Sequence, residues 1–149
     1  MSAKLRKALV LTASLVVLAF IWGNSLLSGE KSGQISGGLL RWLKEAIPLL
    51  RGMPELLLRK LGHFSEFAAL GFLLCWLFRL GGQQGIHRVS VPLLCGMLAA
   101  NTDETIQVFR PNRGPSVIDV WIDVAGVCLG IGVFCLLRRI RTIWKGKSK

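Results

Sequence analysis

The chain contains no tyrosine, no CxxC pair and no small-x-small cleavage motif, and nineteen lysines and arginines outnumber its eight acidic residues. Each scarcity removes a class of explanation. Cys75, Cys95, Cys128 and Cys135 stand singly within apolar runs. Neither a disulfide framework nor a zinc site is therefore indicated, and the four are expected to be small packing residues. With tyrosine absent, interfacial anchoring falls to indole rings: Trp22, Trp76 and Trp121 near the ends of apolar runs, Trp42 and Trp144 in flanking segments. The missing cleavage site bears on the N-terminus, where Lys4, Arg6 and Lys7 precede an apolar run with the outline of a signal peptide. That run is expected to be a retained helix. No internal repeat and no named catalytic motif is present.

What the chain has in abundance is apolar length. It is 149 residues long and 52% hydrophobic, with a mean hydropathy of +0.52, which places it among all-α polytopic membrane proteins. A hydrocarbon core requires roughly 17 to 25 residues of helix. Four runs meet that length, approximately 8–27, 58–80, 89–109 and 116–137, so one domain with four transmembrane helices is expected over residues 1–149. Between the first two, Gly29 to Gly38 reads as a Gly/Ser loop. Leu39, Leu40, Leu43, Ile47 and Leu50 then recur at helical spacing, which predicts a short amphipathic interfacial helix that Pro48 would shorten. Pro54 and Glu55 suit the start of the second span. Ser116 is placed to cap the fourth helix after a tight Arg110–Pro115 turn. Gly126 and Gly130 form a small-x-x-x-small pair that permits close helix packing.

A net charge of +11 raises the question of nucleic acid. Its distribution answers it. Lys4, Arg6, Lys7, Arg79, Arg88, Arg138, Arg139, Arg141, Lys145, Lys147 and Lys149 lie at the N-terminus, in the connection between the second and third runs, and in the tail, with no acid among them. The other eight basic residues balance the eight acids. That asymmetry is the positive-inside pattern, so both termini are expected on the cytoplasmic side of the membrane, and no nucleic-acid partner is expected.

The acids carry the functional signal. An ionisable residue at bilayer depth costs at least ~2.5 kcal/mol on insertion scales, so carboxylates inside a span must be paired, hydrated, protonated or metal-bound. Asp103-Glu104-x-x-Gln107 sits inside the third run, and three-residue spacing puts Lys60, His63 and Glu66 on one face of the second. Asp119 and Asp123 are four apart on the fourth. The assumed orientation brings all of these, with Arg110 and Arg113, to one layer near the outer face. Five carboxylates there face Lys60, Arg110 and Arg113, an excess of two negative charges before His63 is counted. A proton, a charged His63 or a bound cation would balance it.

At these residues the chain resembles the VanZ-like family of bacterial membrane proteins. The matching pattern is Lys60-x-x-His63-Phe64-x-Glu66-Phe67-x-x-Leu70-Gly71, Asp103-Glu104-x-x-Gln107-x-Phe109, Arg113-x-x-Ser116-x-x-Asp119 and Gly126-x-x-x-Gly130. Asp123 departs from the expected asparagine and adds a negative charge. The resemblance implies a small polytopic membrane protein of a family one member of which is associated with low-level teicoplanin resistance.

Four functional expectations follow. The first is binding of a cell-envelope lipid or lipid-linked precursor, with Lys60, Gln107, Arg110, Arg113, Asp119 and Asp123 as ligand-binding residues and arginine offering bidentate phosphate geometry. The second is an enzyme on such a substrate. His63 and Glu66 would be base and orienting partner, with Asp103 and Glu104 as the proton or metal site. Asp103, Glu104 and Asp123 are candidate ligands, and hard carboxylates favour Mg²⁺ or Ca²⁺. A proton or ion pathway is the third, disfavoured because the inner halves of the spans are almost wholly apolar. The fourth is a structural or interaction role through the outer amphipathic segment or the basic tail; separately, four short helices are few to enclose a site, so a homo-oligomer would complete it.

Overall fold

The computed structural model describes residues 2–114 and 116–147, excepting the side chains of residues 36, 39, 40, 43 and 147. Among these residues the fold is all-α. Five helices, α1 (Ala3–Ser25), α2 (Gly29–Ala46), α3 (Glu55–Leu80), α4 (His87–Val108) and α5 (Val117–Lys147), are joined by short connections, with a 3₁₀ turn at Pro48–Leu50. By length and composition α1, α3 and residues Val117–Gly146 of α5 are long and apolar enough to cross a membrane. α4 is nearly as long as α1, 22 residues against 23, but carries Arg88, Asp103 and Glu104.

The helix ends follow local chemistry. Ser2 caps α1 by accepting from the Leu5 amide at 3.2 Å. Ser116 caps α5 through Ile118 N–H at 3.2 Å, satisfying donors that a helix N-terminus leaves unpaired. α5 continues ten residues past the predicted end at 137, because the segment from Arg138 to Lys145 contains neither glycine nor proline. Cations there also complement the negative pole of the helix. Inside α4, Pro92 has no N–H for the Arg88 carbonyl four residues back. The Cys75 thiol lies 3.5 Å from that oxygen and donates to it.

Two expectations are corrected. Residues 29–38 are helical rather than looped, because tertiary anchors outweigh the weak helix propensity of glycine and serine. Ser28 accepts from the Lys31 amide at 3.4 Å, Ser32 Oγ donates to Asn24 Oδ1 at 3.1 Å, and Gly29 N–H donates to Pro111 O at 3.1 Å. A Cβ on Gly29 would collide with the Asn112 carbonyl. Trp22 is not only an anchor: its indole N–H donates to Ala99 O at 3.2 Å within the bundle. The Leu39, Leu40 and Leu43 side chains of the predicted amphipathic face lie outside the described residues, while α2 does end before Pro48 as expected.

α3 and α5 share the most extensive interface. Glycines bring the two backbones together: a Cβ on Gly126 would meet the Phe64 carbonyl, on Gly130 the Ala68 carbonyl and on Gly71 the Val127 carbonyl. Around this seam Ile21, Phe67, Leu70, Val127 and Phe134 are buried. Phe72 packs edge-to-face on Phe134, with ring centroids 5.3 Å apart. Outward-facing Leu15, Val16, Phe20, Leu94, Leu98 and Leu136 are exposed. Cys75 is buried, Cys95 half-buried, and Cys128 and Cys135 exposed, all with free thiols.

Candidate functional site

The seam between α3 and α5 places the polar ends of three helices beside the α4–α5 turn. A cavity of about 210 Å³ opens there, lined from α3 by Arg59, Lys60 and His63, from α4 by Glu104 and Gln107, and from α5 by Asp119 and Asp123. Arg113 and Asn112 reach it from the turn, and Leu56 and Ile122 supply apolar wall. Asn112 adopts φ 56°, a left-handed conformation that asparagine tolerates, and it reverses the chain between the two helices.

Gln107 organises the floor. Its carboxamide nitrogen lies 3.0 Å from Asp103 Oδ2, 3.3 Å from Ser25 Oγ and 3.4 Å from Glu104 Oε1, so one donor group serves three acceptors. The second Glu104 oxygen accepts from the Ser116 backbone N–H at 3.0 Å, tying α4 to the start of α5. Both oxygens of Glu104 are thereby engaged. Asp103 differs: it is fully buried, and its Oδ1 has no hydrogen-bond partner among the described residues. One of its carboxylate oxygens belongs to a cluster in which one ligand atom each from His63, Asp103 and Asp123 lie within 4.8 Å of one another.

The cations divide by task. Lys60 forms an ion pair with Asp119 at the rim, each side chain about a third exposed. Exposed pairs of that kind contribute about 0.2–1 kcal/mol. Arg113 donates from Nη2 to Asn24 O at 2.8 Å and from Nε to Leu27 O at 3.4 Å. Asn24 O also accepts from the Leu27 N–H at 3.2 Å, so Arg113 adds a charged donor where the α1 hydrogen-bond ladder ends. Burial, and then the like charge of Arg59, lowers the pKa of Arg113 below its ordinary value, although a guanidinium remains a cation. Arg59 lines the cavity and makes no hydrogen bond or ion pair among the described residues.

A family model described as VanZ/LLP1 matches residues 7–138. The chain belongs to the VanZ/LLP1 family. The match takes in every residue of the cavity and every helix that supplies one, leaving out the last turns of α5. No curated protein and no solved structure gives a match.

Of the residues singled out by sequence in this VanZ/LLP1 chain, Lys60, His63, Glu104, Gln107, Arg113, Asp119 and Asp123 line the cavity, and Asp103 lies at its floor. Arg110 does not line it, and its Nε is buried without a partner among the described residues. Glu66 does not line it either; it is within electrostatic reach of His63 and Asp103, and its Oε2 is buried without a partner among the described residues. Sequence reasoning missed Arg59, Asn112, Asn24 and Ser25. Arg59 was detectable, since it lies one helical turn before His63 on the same face. So were Asn24 and Ser25, adjacent polar residues near the end of an otherwise apolar run.

Proposed function

We propose that this VanZ/LLP1 protein crosses the plasma membrane four times, α4 included, with both termini cytoplasmic and α2 lying in the outer interface. In this reading the cavity receives the phosphate-bearing headgroup of an envelope lipid or lipid-linked precursor. The carrying observation is the lining itself: Arg59, Lys60 and Arg113 stand beside apolar Leu56 and Ile122 in one cavity. A phosphate would meet the cations, Arg59 still having its donors to offer, while the first carbons of a lipid chain would follow the apolar wall.

Topology supports the placement. Arg79, Arg88 and Arg138 surround a second cavity at the other end of the bundle. Nineteen residues separate Lys60 from Arg79 and Asp119 from Arg138, about 28 Å of helix, close to the thickness of a hydrocarbon core. The basic end suits the cytoplasmic leaflet, which puts the acidic cavity at the outer one. A headgroup ligand also accords with the family's link to a glycopeptide antibiotic, since such drugs act on precursors outside the membrane.

Purified protein in neutral detergent is expected to unfold at higher temperature when polyprenyl phosphate is added, and not when the corresponding polyprenol is. A ligand at one hundred times its Kd stabilises by about 2.7 kcal/mol. In Arg59→Ala the shift is expected to shrink by more than half. An equal shift from the alcohol, or none from the phosphate, would remove the headgroup reading.

A second reading, catalysis on the same lipid class, is favoured by Glu66. Its carboxylate is within electrostatic reach of His63, with Oε2 buried and without a partner among the described residues, and a hydrogen bond from the ring to that oxygen would orient a general base. With a polyprenyl diphosphate, His63 would take a proton from a water attacking the terminal phosphorus, and orthophosphate and polyprenyl phosphate would leave. Time-dependent orthophosphate release that vanishes in His63→Ala is the expected signature. Release at the same rate in that variant would exclude this role.

A further inference from the structure

The charge arrangement of the floor points beyond a headgroup pocket. Glu66, Asp103, Glu104 and Asp123 come together from three helices, yet the ion pair formed among the described residues is at the rim, between Lys60 and Asp119. Arg113 donates from Nε and Nη2 to the main-chain carbonyls of Leu27 and Asn24 rather than to an acid, and Arg110 lies outside the cavity lining. Charged groups this deep require a counter-charge or a proton. No side-chain cation reaches Asp103 or Asp123 by a hydrogen bond or ion pair among the described residues.

We infer that His63, Asp103 and Asp123 bind a single divalent cation at the floor of the cavity. The cluster is not merely acidic, since it contributes one imidazole nitrogen and two carboxylate oxygens, one each from α3, α4 and α5. Two ligands of one ion can stand no further apart than twice the metal–ligand distance, about 4–5 Å for common divalent cations, and all three atoms lie within 4.8 Å. Independently of that spacing, Asp103 is 0% exposed and has an oxygen with no partner among the described residues. Its other oxygen is held by Gln107 at 3.0 Å, an arrangement that orients a ligating carboxylate. His63 makes no hydrogen bond among the described residues, leaving its ring free to ligate. Glu104, by contrast, has both oxygens occupied by Gln107 and Ser116, which keeps it outside the set. One imidazole nitrogen with two hard oxygens suits Mn²⁺ better than Mg²⁺ or Ca²⁺, both of which are bound through oxygen.

His63 and Asp123 line the cavity directly. Coordination positions left over by three protein ligands would therefore face Arg59, Lys60 and Arg113, where a phosphate oxygen could bridge cation and guanidinium. This last step deepens the headgroup reading and rests on it; binding of the cation itself does not.

The test uses Mn²⁺ alone as probe, with the full-length protein in detergent. Titration followed by electron paramagnetic resonance is expected to show one saturable Mn²⁺ per chain, displaced by excess Mg²⁺. Electron spin-echo modulation from a directly bound imidazole nitrogen is expected in the unmodified protein. Asp103→Asn is expected to weaken Mn²⁺ binding at least tenfold, whereas Glu55→Gln, at an exposed carboxylate, leaves it unchanged. Absence of saturable binding, bound Mn²⁺ without nitrogen modulation, or equal weakening in Glu55→Gln would each overturn the inference. Polyprenyl phosphate stabilisation is measured separately, once with chelator and once with saturating Mn²⁺, and counts as absent only if it fails in both. Stabilisation without Mn²⁺ binding sinks the cation and spares the headgroup reading, and Mn²⁺ binding without stabilisation does the reverse.

Discussion

Gly130→Val is expected to lower the stability of the detergent-solubilised protein by at least about 3 kcal/mol, the upper range for overpacking a well-filled interior, while Gly132→Val two residues away leaves it within about 0.5 kcal/mol. The contrast follows from what each new side chain would meet. A Cβ at Gly130 would overlap the Ala68 carbonyl and press on the Phe72 amide, and a Cβ at Gly132 would meet nothing within 4 Å. Main-chain atoms of α3 cannot rotate aside as a side-chain tip can. α3 and α5 would have to separate, and the neighbouring contacts of Gly126 with Phe64 and of Gly71 with Val127 would open with them. Apolar side chains released there enter lipid rather than water, so little hydrophobic force restores the pair. Because Lys60 meets Asp119 and His63 approaches Asp123 across the same seam, the cavity should be lost along with stability. Thermal unfolding midpoints of both variants check this, and equal effects at the two glycines would mean that the close approach is not what holds the bundle.

That seam was legible in the sequence, since Gly126-x-x-x-Gly130 announces close packing without naming the partner helix. The same holds for the acids, whose depth within apolar runs marks them whatever the fold. Less visible was anything decided by non-local contact. Residues 29–38 carry loop composition, and only their docking on Asn24, Pro111 and Asn112 makes them helical. Arg110 and Arg113 are equivalent on paper, three residues apart with like side chains. The left-handed Asn112 between them sends Arg113 onto the end of α1 and into the cavity lining, and leaves Arg110 outside it. Equally hidden was the division between Asp103 and Glu104. Adjacent residues on a helix point about 100° apart, so one carboxylate meets Ser116 and the other His63 and Asp123, a difference that appears only once three helices are assembled.

Gln107→Leu, measured in the presence of chelator, is expected to cost about 3–5 kcal/mol, the range for stripping a partner from a buried charge. Leucine is similar in size, so the loss would come from hydrogen bonding rather than from a cavity. Asp103 would then have no donor from Gln107 on Oδ2 and none on Oδ1, while Glu104 would keep the Ser116 amide. The deficit therefore concentrates on one residue, and it should be recoverable there. Adding Asp103→Asn to Gln107→Leu replaces the stranded carboxylate with an amide that carries its own donors, and more than half of the lost stability is expected to return. Unfolding free energies of the wild type, both single variants and the double variant close a cycle in which the two sites show strong coupling. Independent, additive losses would mean that Gln107 acts elsewhere. Repeating the cycle with Mn²⁺ connects it to the proposed cation. If His63, Asp103 and Asp123 hold the ion, Mn²⁺ should relieve much of the Gln107→Leu penalty while Asp103 is present and none of it once Asp103 is asparagine. A floor whose charge is met by a proton would show the same coupling in chelator and no response to Mn²⁺.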